Sequence, residues 1–465
     1  MWGIPLKASW GADGWILFSG IEVRGVLQRI RDSGGTAERL VRADIKKDEW
    51  YLYQPEMLPD AEHILFTAAL PGLRVVVQSL KTGARQMLVE DAYAAHYVPT
   101  GHLVYMQGEK LIAVPFDPKR LVMTGTPVVM VEGVNAWASP AAGGYAISEN
   151  GTLAFLPAVP ADYLRTFVWV DRQRKEEPVA NVRGFFLGAQ LSPNGKKLAT
   201  WDSDDFQVSV LDIERGALTR LTTEGRNAWN IWSPDGRRLV FNSVRTDSAG
   251  TSLFSQVEDG SAPAERLTTT DHMQQPRSFS SDGSTLVFQD LDPDTGYDIW
   301  TLQMKKGAKP SPLLRTRFNE YQPSLSPDDR WLAYVSNESG RDEIWVRSFP
   351  AMDQRVMVSN GGGGEPAWSR DGSELFYRTS NNPAASSRLM AVNVSTAQGF
   401  RADTPRTLFE GPYAIHPLFG QSYDVSQNGK RFVMIKFDPV KSPKEIHVVL
   451  NWFEELKRLC PTGKK

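Results

Sequence analysis

Short apolar runs alternate with polar turns along almost the whole chain. The runs at 238–241, 331–334 and 375–377 are rich in Leu, Val, Phe, Tyr and Trp, and polar loops and further runs such as 343–347 follow them. Short β-prone runs bounded by Gly, Pro, Asn and Asp are typical of strands. The apolar positions of 452–459 fit a short helix instead. The pattern predicts an all-β protein with one helix near its C-terminal end.

Many of these runs follow a five-residue turn whose fullest form is Trp232-Ser233-Pro234-Asp235-Gly236. Proline presets φ, Asp or Asn bonds its own backbone, and Gly tolerates a positive φ, so the motif predicts a tight reversal between strands. Further copies, three clear and six weaker, occur at 279–283, 325–329, 368–372, 10–14, 58–61, 98–101, 147–151, 191–195 and 425–429. The ten copies, from Gly14 to Gly429, span nine intervals of about 46 residues, the period of a four-stranded propeller blade.

Four short strands per repeat cannot bury both faces of a sheet, so neighbouring sheets must stack, and closing the stack into a ring protects their edges. We therefore expect a β-propeller of about ten four-stranded antiparallel blades. The last repeat supplies strands at 431–434 and 446–450 but no outer strand, and 177–182 suits the missing position. On this argument residues 166–465 form a six-bladed ring with a capping helix, and residues 1–165 form four further blades. A single ring of about ten blades is the alternative.

The Ser-Pro-Asp-Gly turns and the strands that follow them resemble the TolB-type, WD-repeat-like propellers of bacteria. More narrowly, segments 336–350, 296–300 and 451–458 resemble the propeller half of large bacterial serine/threonine protein kinases, especially those of acidobacteria. In such kinases the propeller follows a catalytic domain and a membrane span, and it is thought to lie outside the membrane as a sensing or binding region. The resemblance therefore implies a periplasmic sensory region detached from its kinase domain.

The start of the chain favours a different compartment. Residues 1–8 lack the basic flank and apolar run of a signal peptide, and no stretch of about 18 apolar residues occurs. Taken as written, the sequence predicts a cytoplasmic protein that does not insert into a membrane.

Composition narrows the classes of partner. Of the 465 residues, 41% are hydrophobic and 23% charged, which is typical of a folded protein with a well-packed core. Lys and Arg number 52 and Asp and Glu 54, a net charge of -2, so no long-range field attracts nucleic acid or an anionic membrane. Cys460 is the one cysteine, which excludes an intramolecular disulfide and a cysteine-based zinc site.

The motifs of common enzymes are missing. A kinase needs a glycine-rich loop with a lysine, His-Arg-Asp and Asp-Phe-Gly, and none of these sets is present. The glycine run 361–364 precedes Glu365-Pro366 and fits a linker between blades. No Gly-x-Ser-x-Gly elbow of a serine hydrolase occurs. The histidines lie in different repeats without the spacing of a zinc helix, and we expect structural roles for them: His63, His96, His102, His272, His416 and His447. We expect no catalytic activity and no cofactor.

Alternating carboxylates between two strands invite comparison with a calcium loop. The residues are Asp290, Asp292, Asp294 and Asp298. An EF-hand loop requires Gly at its sixth position and Glu at its twelfth, where this sequence has Thr295 and Thr301. We therefore expect a solvated hairpin loop here and no metal ion.

The remaining candidate site is one mouth of the central channel. The innermost strand of each blade precedes the turn motif, so polar residues near its start converge by symmetry. The candidates for a ligand or partner rim are Gln190, Asn230, Gln275, Gln322, Glu365 and Gln421. The alternative is that they only hydrogen-bond neighbouring blades and channel water. The apolar residues of 452–459 either dock a partner or, as we expect, cap the ring.

These observations favour a non-catalytic binding or scaffold module, with a protein or small molecule bound at the propeller mouth. The resemblance implies the sensory or protein-interaction region of a receptor-type kinase system. The alternative is an accessory, gating propeller of a separately encoded hydrolase of the prolyl oligopeptidase type. Propellers of one architecture serve many functions, so turns and strands do not identify the ligand.

Overall fold

The structure is a computed structural model, and it divides the chain into two units. It describes residues 5–11, 13–20, 25–44, 49, 51–69, 72–136, 143–158, 164–203, 205–245, 250–292, 294–382, 386–396, 399–415, 420–437 and 444–462. The unit that we call the N-terminal unit comprises Trp2–Ala161 and Lys441–Lys465. The unit that we call the ring unit comprises Asp162–Val440.

The N-terminal unit is built from consecutive antiparallel sheets. The first contains β1 (Pro5–Trp10), β2 (Trp15–Gly20), β3 (Val26–Arg31) and β4 (Glu38–Arg42). The second contains β5 (Tyr51–Met57), β6 (His63–Ala69), β7 (Leu73–Ser79) and β8 (Arg85–Glu90). The third contains β9 (Tyr93–Val98), β10 (His102–Gln107), β11 (Lys110–Asp117), β12 (Val122–Met123) and β13 (Val128–Glu132). The fourth begins with β14 (Tyr145–Ile147) and β15 (Leu153–Phe155).

The described residues of the ring unit form six blades, which we call ring sheets 1 to 6, and one parallel residue pair, Thr251 with Met273, joins ring sheets 2 and 3 into an eight-stranded sheet. It begins with β16 (Arg165–Asp171) and β17 (Glu176–Pro178). Ring sheet 1 holds β18 (Gln190–Leu191), β19 (Lys197–Trp201), β20 (Val208–Asp212) and β21 (Ala217–Arg220). Ring sheet 2 holds β22 (Arg226–Trp232), β23 (Arg238–Val244), β24 (Thr251–Val257) and β25 (Glu265–Arg266). Ring sheet 3 holds β26 (Met273–Phe279), β27 (Thr285–Asp292), β28 (Gly296–Gln303) and β29 (Ser311–Leu314).

The remaining ring sheets complete the circle. Ring sheet 4 holds β30 (Glu320–Leu325), β31 (Trp331–Ser336), β32 (Glu343–Ser348) and β33 (Arg355–Met357). Ring sheet 5 holds β34 (Gly364–Trp368), β35 (Glu374–Asn382), β36 (Ser386–Ser395), β37 (Arg401–Ala402) and β38 (Arg406–Gly411). Ring sheet 6 joins β39 (Tyr423–Val425) and β40 (Arg431–Phe437) to β16 and β17, in the order β17-β16-β40-β39.

Pairing of β16 with β40 closes the ring. The two strands pair antiparallel over seven residues, from Arg165 opposite Phe437 to Asp171 opposite Arg431. The innermost strands β18, β22, β26, β30, β34 and β39 each contact the next, and β39 contacts β18. The ring therefore closes within 165–437, which rules out a single ring of about ten blades.

The last blade has the expected kind of outer strand but a different strand next to it. The segment 177–182 was expected at the outer edge, and the overlapping β17 lies there, but the strand that pairs with β40 is β16 and not 446–450. Residues 165–171 carry the β-branched and aromatic residues that suit a central strand, with Phe167 and Val170 fully buried. Pro178 cannot donate to a ladder, which suits the outer position of β17.

The end of the chain returns to the N-terminal unit. Strand β41 (His447–Val449) pairs antiparallel with β15, so the fourth sheet has the order β14-β15-β41. Helix α1 (Trp452–Leu459) then buries Trp452 and Leu456 in the core of the N-terminal unit, which includes Val104 and Leu153. The sequence had placed both elements on the six-bladed ring, the strand as part of its last blade and the helix as a cap.

The repeated turn has the geometry that its residues predict. In the second ring sheet, Ser233 Oγ donates to Asp235 Oδ1 at 2.6 Å and accepts from the Arg238 amide at 3.0 Å. Gly236 has φ 70° and its amide donates to the Ser233 carbonyl. The positive φ explains why glycine closes most copies of the motif. The expected fold class, an all-β propeller of four-stranded antiparallel blades with a short C-terminal helix, is confirmed.

Candidate functional site

The six innermost strands of the ring unit surround one cavity of about 440 Å³. Residues of all six ring sheets line it, from Gly188 in the approach to β18 through to Val425 at the end of β39. The turn residues Pro193, Pro234 and Pro327 line one end. A concave site with polar groups converging from several elements is where proteins commonly bind small ligands.

A repeated β-bulge sets which side chains of the innermost strands face this cavity. Trp229, Gln322 and Glu365 have φ of 50°, 52° and 56°, and the ladder to the next strand shifts register beside each of them. Each lies four residues before the serine of its turn motif. Gln54 and Ala94 of the N-terminal unit hold the same left-handed conformation at the same offset from their turns. The bulge is therefore part of the blade architecture.

Four of the six candidate rim residues line the cavity: Gln190, Asn230, Gln322 and Gln421. Gln190 and Gln421 are half-buried, whereas Asn230 and Gln322 are buried. Gln421 Nε2 donates to the Glu365 carbonyl at 3.3 Å, and Gln322 Oε1 accepts from the Glu365 amide at 2.7 Å. The amide of Asn230 has neither donor nor acceptor satisfied by any residue that the structure describes.

The other two candidates, Gln275 and Glu365, are buried inside the wall and are absent from the cavity lining. Gln275 Oε1 accepts from Arg277 Nη2 at 2.9 Å and from Gln289 Nε2 at 2.7 Å. Glu365 Oε2 accepts from the amide and the hydroxyl of Ser422. The side chains of Gln275 and Glu365 therefore form hydrogen bonds within the ring wall, as the alternative interpretation expects.

Sequence reasoning missed several residues that face the cavity, among them Trp229, Arg277 and Asp424. The six candidates were taken at unequal distances before the turn, between two and five residues. Side chains alternate along a strand, and the bulge shifts that alternation. Equivalent residues of the six strands must therefore be taken at the same distance from the turn serine. The position two before the turn serine lines the cavity in all six ring sheets: Gln190, Ile231, Ser278, Ser324, Ala367 and Asp424.

Asp424 places a carboxyl group in the channel wall. It accepts hydrogen bonds from the amides of Leu191 and Val425, both at 2.7 Å. Burial raises the pKa of this carboxyl, while the nearby positive charge of Arg370 and the two amide donors act in the opposite direction. The channel lining therefore contains an acidic group as well as the arginines Arg277 and Arg370.

The carboxylates of the candidate calcium loop are engaged by the protein. Asp290 binds His272 Nδ1 at 2.7 Å and Gln274 Nε2 at 2.9 Å. Asp292 Oδ2 accepts from Arg315 Nη2 at 2.7 Å, and Asp294 follows it in the turn from β27 to β28. Asp290 and Asp298 are buried rather than solvated. Across the described ranges, no group of three or more His, Cys, Asp or Glu is arranged to hold a metal ion.

Four of the described histidines lie on different strands: His63, His96, His102 and His447. His102 is fully buried and its Nε2 contacts the Cys460 carbonyl at 2.5 Å. His63 pairs with Asp60 at 2.7 Å. His416 lies outside the described residues. Within the part of the chain that the structure covers, no helix is long and apolar enough to cross a membrane.

Comparisons with known proteins agree with the architecture. Residues 165–371 match the family model described as the TolB beta propeller domain. A curated relative, the uncharacterized protein Atu1656 of Agrobacterium fabrum, is 41% identical over 80 residues, which are 17% of this chain and 26% of the relative. The chain thus spans about a quarter of that relative's length.

Solved structures resemble the chain more broadly. The structure of a putative TolB from Agrobacterium tumefaciens matches 60% of this chain and 99% of its own length, with a TM-score of 0.50 and 17% identity. TolB from Acinetobacter baumannii matches 73% of this chain and 61% of its own length, at 16% identity and a TM-score of 0.30. The sheet topology and the family model together show a β-propeller protein that is similar to the TolB beta propeller domain over most of its ring unit.

Proposed function

We propose that this chain is a binding module without catalytic activity of its own, and that its ligand occupies the channel of the ring unit. The observation that carries the proposal is the convergence of all six innermost strands on one cavity of about 440 Å³. That volume suits a small molecule or the end of a peptide. The unpaired amide of Asn230 supports it, since buried polar groups usually have partners.

A thermal-shift screen on the intact chain tests the proposal, because a ligand that binds the folded state raises the melting temperature. Ser324→Trp places a large side chain in the cavity, whereas Ser339→Trp alters an exposed turn between β31 and β32 and serves as the control. A true channel ligand should stabilise the wild type and the control and lose its effect in Ser324→Trp. Equal stabilisation of all three proteins, or hydrolysis of a peptide or ester panel, would contradict the proposal.

We further propose that the chain serves a receptor-type serine/threonine kinase system as its sensory or protein-interaction region. Support comes from the resemblance of segments 336–350, 296–300 and 451–458 to the propeller half of such kinases. A kinase domain with a membrane span encoded next to this chain, whose activity changes when the chain is added, is the expected result. A neighbouring α/β-hydrolase whose substrate access changes with the chain would favour the gating alternative instead.

A further inference from the structure

Gly420 brings the side chains of Trp229 and Arg277 together at one end of the channel. Its φ is 115°, and a Cβ atom built on it would lie 3.2 Å from Trp229 Cδ1, 3.9 Å from Trp229 Nε1 and 3.7 Å from Arg277 Nη1. The indole N–H and one arm of the guanidinium group therefore border the space that the missing side chain leaves. All three residues line the cavity.

Trp229 and the residue that follows it in the chain, Asn230, carry buried polar atoms without hydrogen-bond partners in the described part of the chain. These atoms are Trp229 Nε1 and both the nitrogen and the oxygen of the Asn230 side-chain amide. Trp229 is 8% exposed and Asn230 4%. Burying polar atoms without partners destabilises the free protein. A ligand group that forms hydrogen bonds with them would therefore bind more tightly.

Hydrogen-bond donors predominate among these groups. Trp229 Nε1 and the Arg277 guanidinium, which lie beside Gly420, both donate, and the amide of Asn230, the next residue after Trp229, offers one donor and one acceptor. A carboxylate accepts through both oxygens, and its shape matches the fork of an arginine. We propose that this end of the channel is a subsite for the carboxylate group of a ligand, an inference that rests on the proposed function.

The charges of the channel favour a singly charged group over a phosphate. The charged residues of the lining are Arg277, Arg370, Asp329 and Asp424, whose formal charges sum to zero. The lining therefore has no excess of positive charge to balance a doubly charged group. A carboxylate carries one charge and therefore fits this balance.

The buried amides behind Arg277 hold its guanidinium in place. Arg277 Nε donates to Gln289 Oε1 at 2.8 Å, and Nη2 donates to Gln275 Oε1 at 2.9 Å. Gln289 Nε2 also donates to Gln275 Oε1, at 2.7 Å. This network fixes the arm that points to Gly420 before any ligand binds, which reduces the entropy lost on binding. It gives Gln275 a positioning role.

Nuclear magnetic resonance of the intact, ¹⁵N-labelled chain tests the subsite through the indole N–H of Trp229, assigned with Trp229→Phe. Butyrate and butyramide form one matched pair of probes, and trialanine and its C-terminal amide form the other. We expect both carboxylates to move the Trp229 resonance saturably, and both amides to leave it in place. Tighter binding of trialanine than of butyrate would identify a peptide terminus as the natural group, and the reverse would identify a small organic acid.

Arg277→Gln should weaken carboxylate binding by roughly tenfold or more, because the charge-assisted hydrogen bonds are lost. Arg330→Gln, which changes an exposed arginine outside the cavity lining, is the matched control and should bind as the wild type does. Unchanged binding in Arg277→Gln would overturn the subsite. Equal shifts with acids and amides would overturn it too, but would leave a ligand in the channel and the proposed function intact. If no probe moves the resonance, the subsite is wrong, and the thermal-shift screen alone decides the function.

Discussion

Two buried carboxyl groups meet at the junction of ring sheets 3 and 4. Asp298 is 0% exposed and Glu320 3%, and each has one carboxyl oxygen without a hydrogen-bond partner among the described residues. Burial raises the pKa of Asp298 to about 6 and that of Glu320 to about 7. The negative charges of Asp290 and Asp292 add to the rise at Asp298, and those of Asp298 and Glu338 add to the rise at Glu320. Arg315, which pairs with Asp298 at 3.4 Å, opposes the rise at Asp298.

Stability should therefore fall as the pH rises from about 4.5 to about 7, because the folded state holds these protons more tightly than the unfolded chain. Glu320→Gln keeps an oxygen for the Thr316 hydroxyl and removes the charge. We expect this variant to be more stable than the wild type by about 1–3 kcal/mol near pH 8, and to differ little near pH 4. Urea unfolding across this pH range measures the difference.

Asp282 provides a control because its pKa is shifted in the opposite direction. Hydrogen bonds from Ser280 and Ser284 lower the pKa of this turn carboxyl to about 2, so its contribution is lost only as the pH falls below about 4. Asp282→Asn should leave the slope above pH 5 unchanged. Asp298 should leave a smaller slope in Glu320→Gln. A wild-type stability that is flat between these pH values, or a slope that Glu320→Gln leaves undiminished, would show that Glu320 titrates normally.

Cys460 is enclosed where α1 ends. It is 2% exposed, its Sγ lies 3.6 Å from the Ala113 carbonyl, and burial raises the pKa of the thiol. Because the thiolate is the reactive form, we expect a disulfide reagent to label the native chain far more slowly than the unfolded chain. Leu456→Ala, which loosens the helix, should accelerate labelling. Fast labelling of the native wild type would show that the helix is detached in solution.

At the scale of elements, the sequence predicted most of the ring and misplaced its ends. The turn motif and apolar runs located ring sheets 2 to 5, because their strands follow one another in the chain. The partners of β40 and β41 come from distant segments, and local pattern carries no information on such pairing. Residues 165–171 had the composition of a strand but preceded the first clear turn motif, and β41 matched the expected period although it belongs to another sheet.

The residues that line the channel were also predicted only in part. The approach of the innermost strands to a common axis follows from the repeat, so Gln190, Asn230, Gln322 and Gln421 were found at the cavity. Arg277 and Trp229 were missed because the bulge alters which residues of a strand face inwards. Aligning all six strands on the turn serine would have found Asp424 and the other residues two positions before that serine, whereas Trp229 and Arg277 lie four and three residues before theirs.

Helix α1 supports the N-terminal unit, and one substitution should show this. Trp452 is 1% exposed and packs with Val104 and Leu153, so Trp452→Ala should destabilise that unit by about 3–5 kcal/mol. Hydrogen exchange should accelerate in β9 to β15 and stay unchanged in β18 to β38. Leu459→Ala, at a position 38% exposed on the same helix, is the control and should have little effect. Faster exchange in the ring strands would contradict the assignment of α1.

At the scale of the whole molecule, the ring unit contains all that its closure requires. The pairing of β16 with β40 buries Phe432, Val433, Met434 and Ile435 completely. We therefore expect a fragment of residues 162–440 to fold alone and to unfold cooperatively with heat. A fragment of residues 180–440 lacks β16 and β17 and should melt at a much lower temperature or aggregate, since it exposes β40 as an edge.

Circular dichroism and calorimetry compare the two fragments directly. Equal melting temperatures would show that β16 contributes nothing to closure, and failure of the longer fragment to fold would show that the ring depends on the N-terminal unit.

The return of β41 to β15 also dictates an order of events during synthesis. About 290 residues separate Phe155 from His447, so a ribosome adding roughly 5–20 residues per second makes the second strand about 15–60 s after the first. Throughout that interval Leu153 and Phe155 lack their partner strand and the helix that covers them. The ring unit can therefore fold on the ribosome before the N-terminal unit is complete, and we expect chaperones to bind the N-terminal unit during this interval.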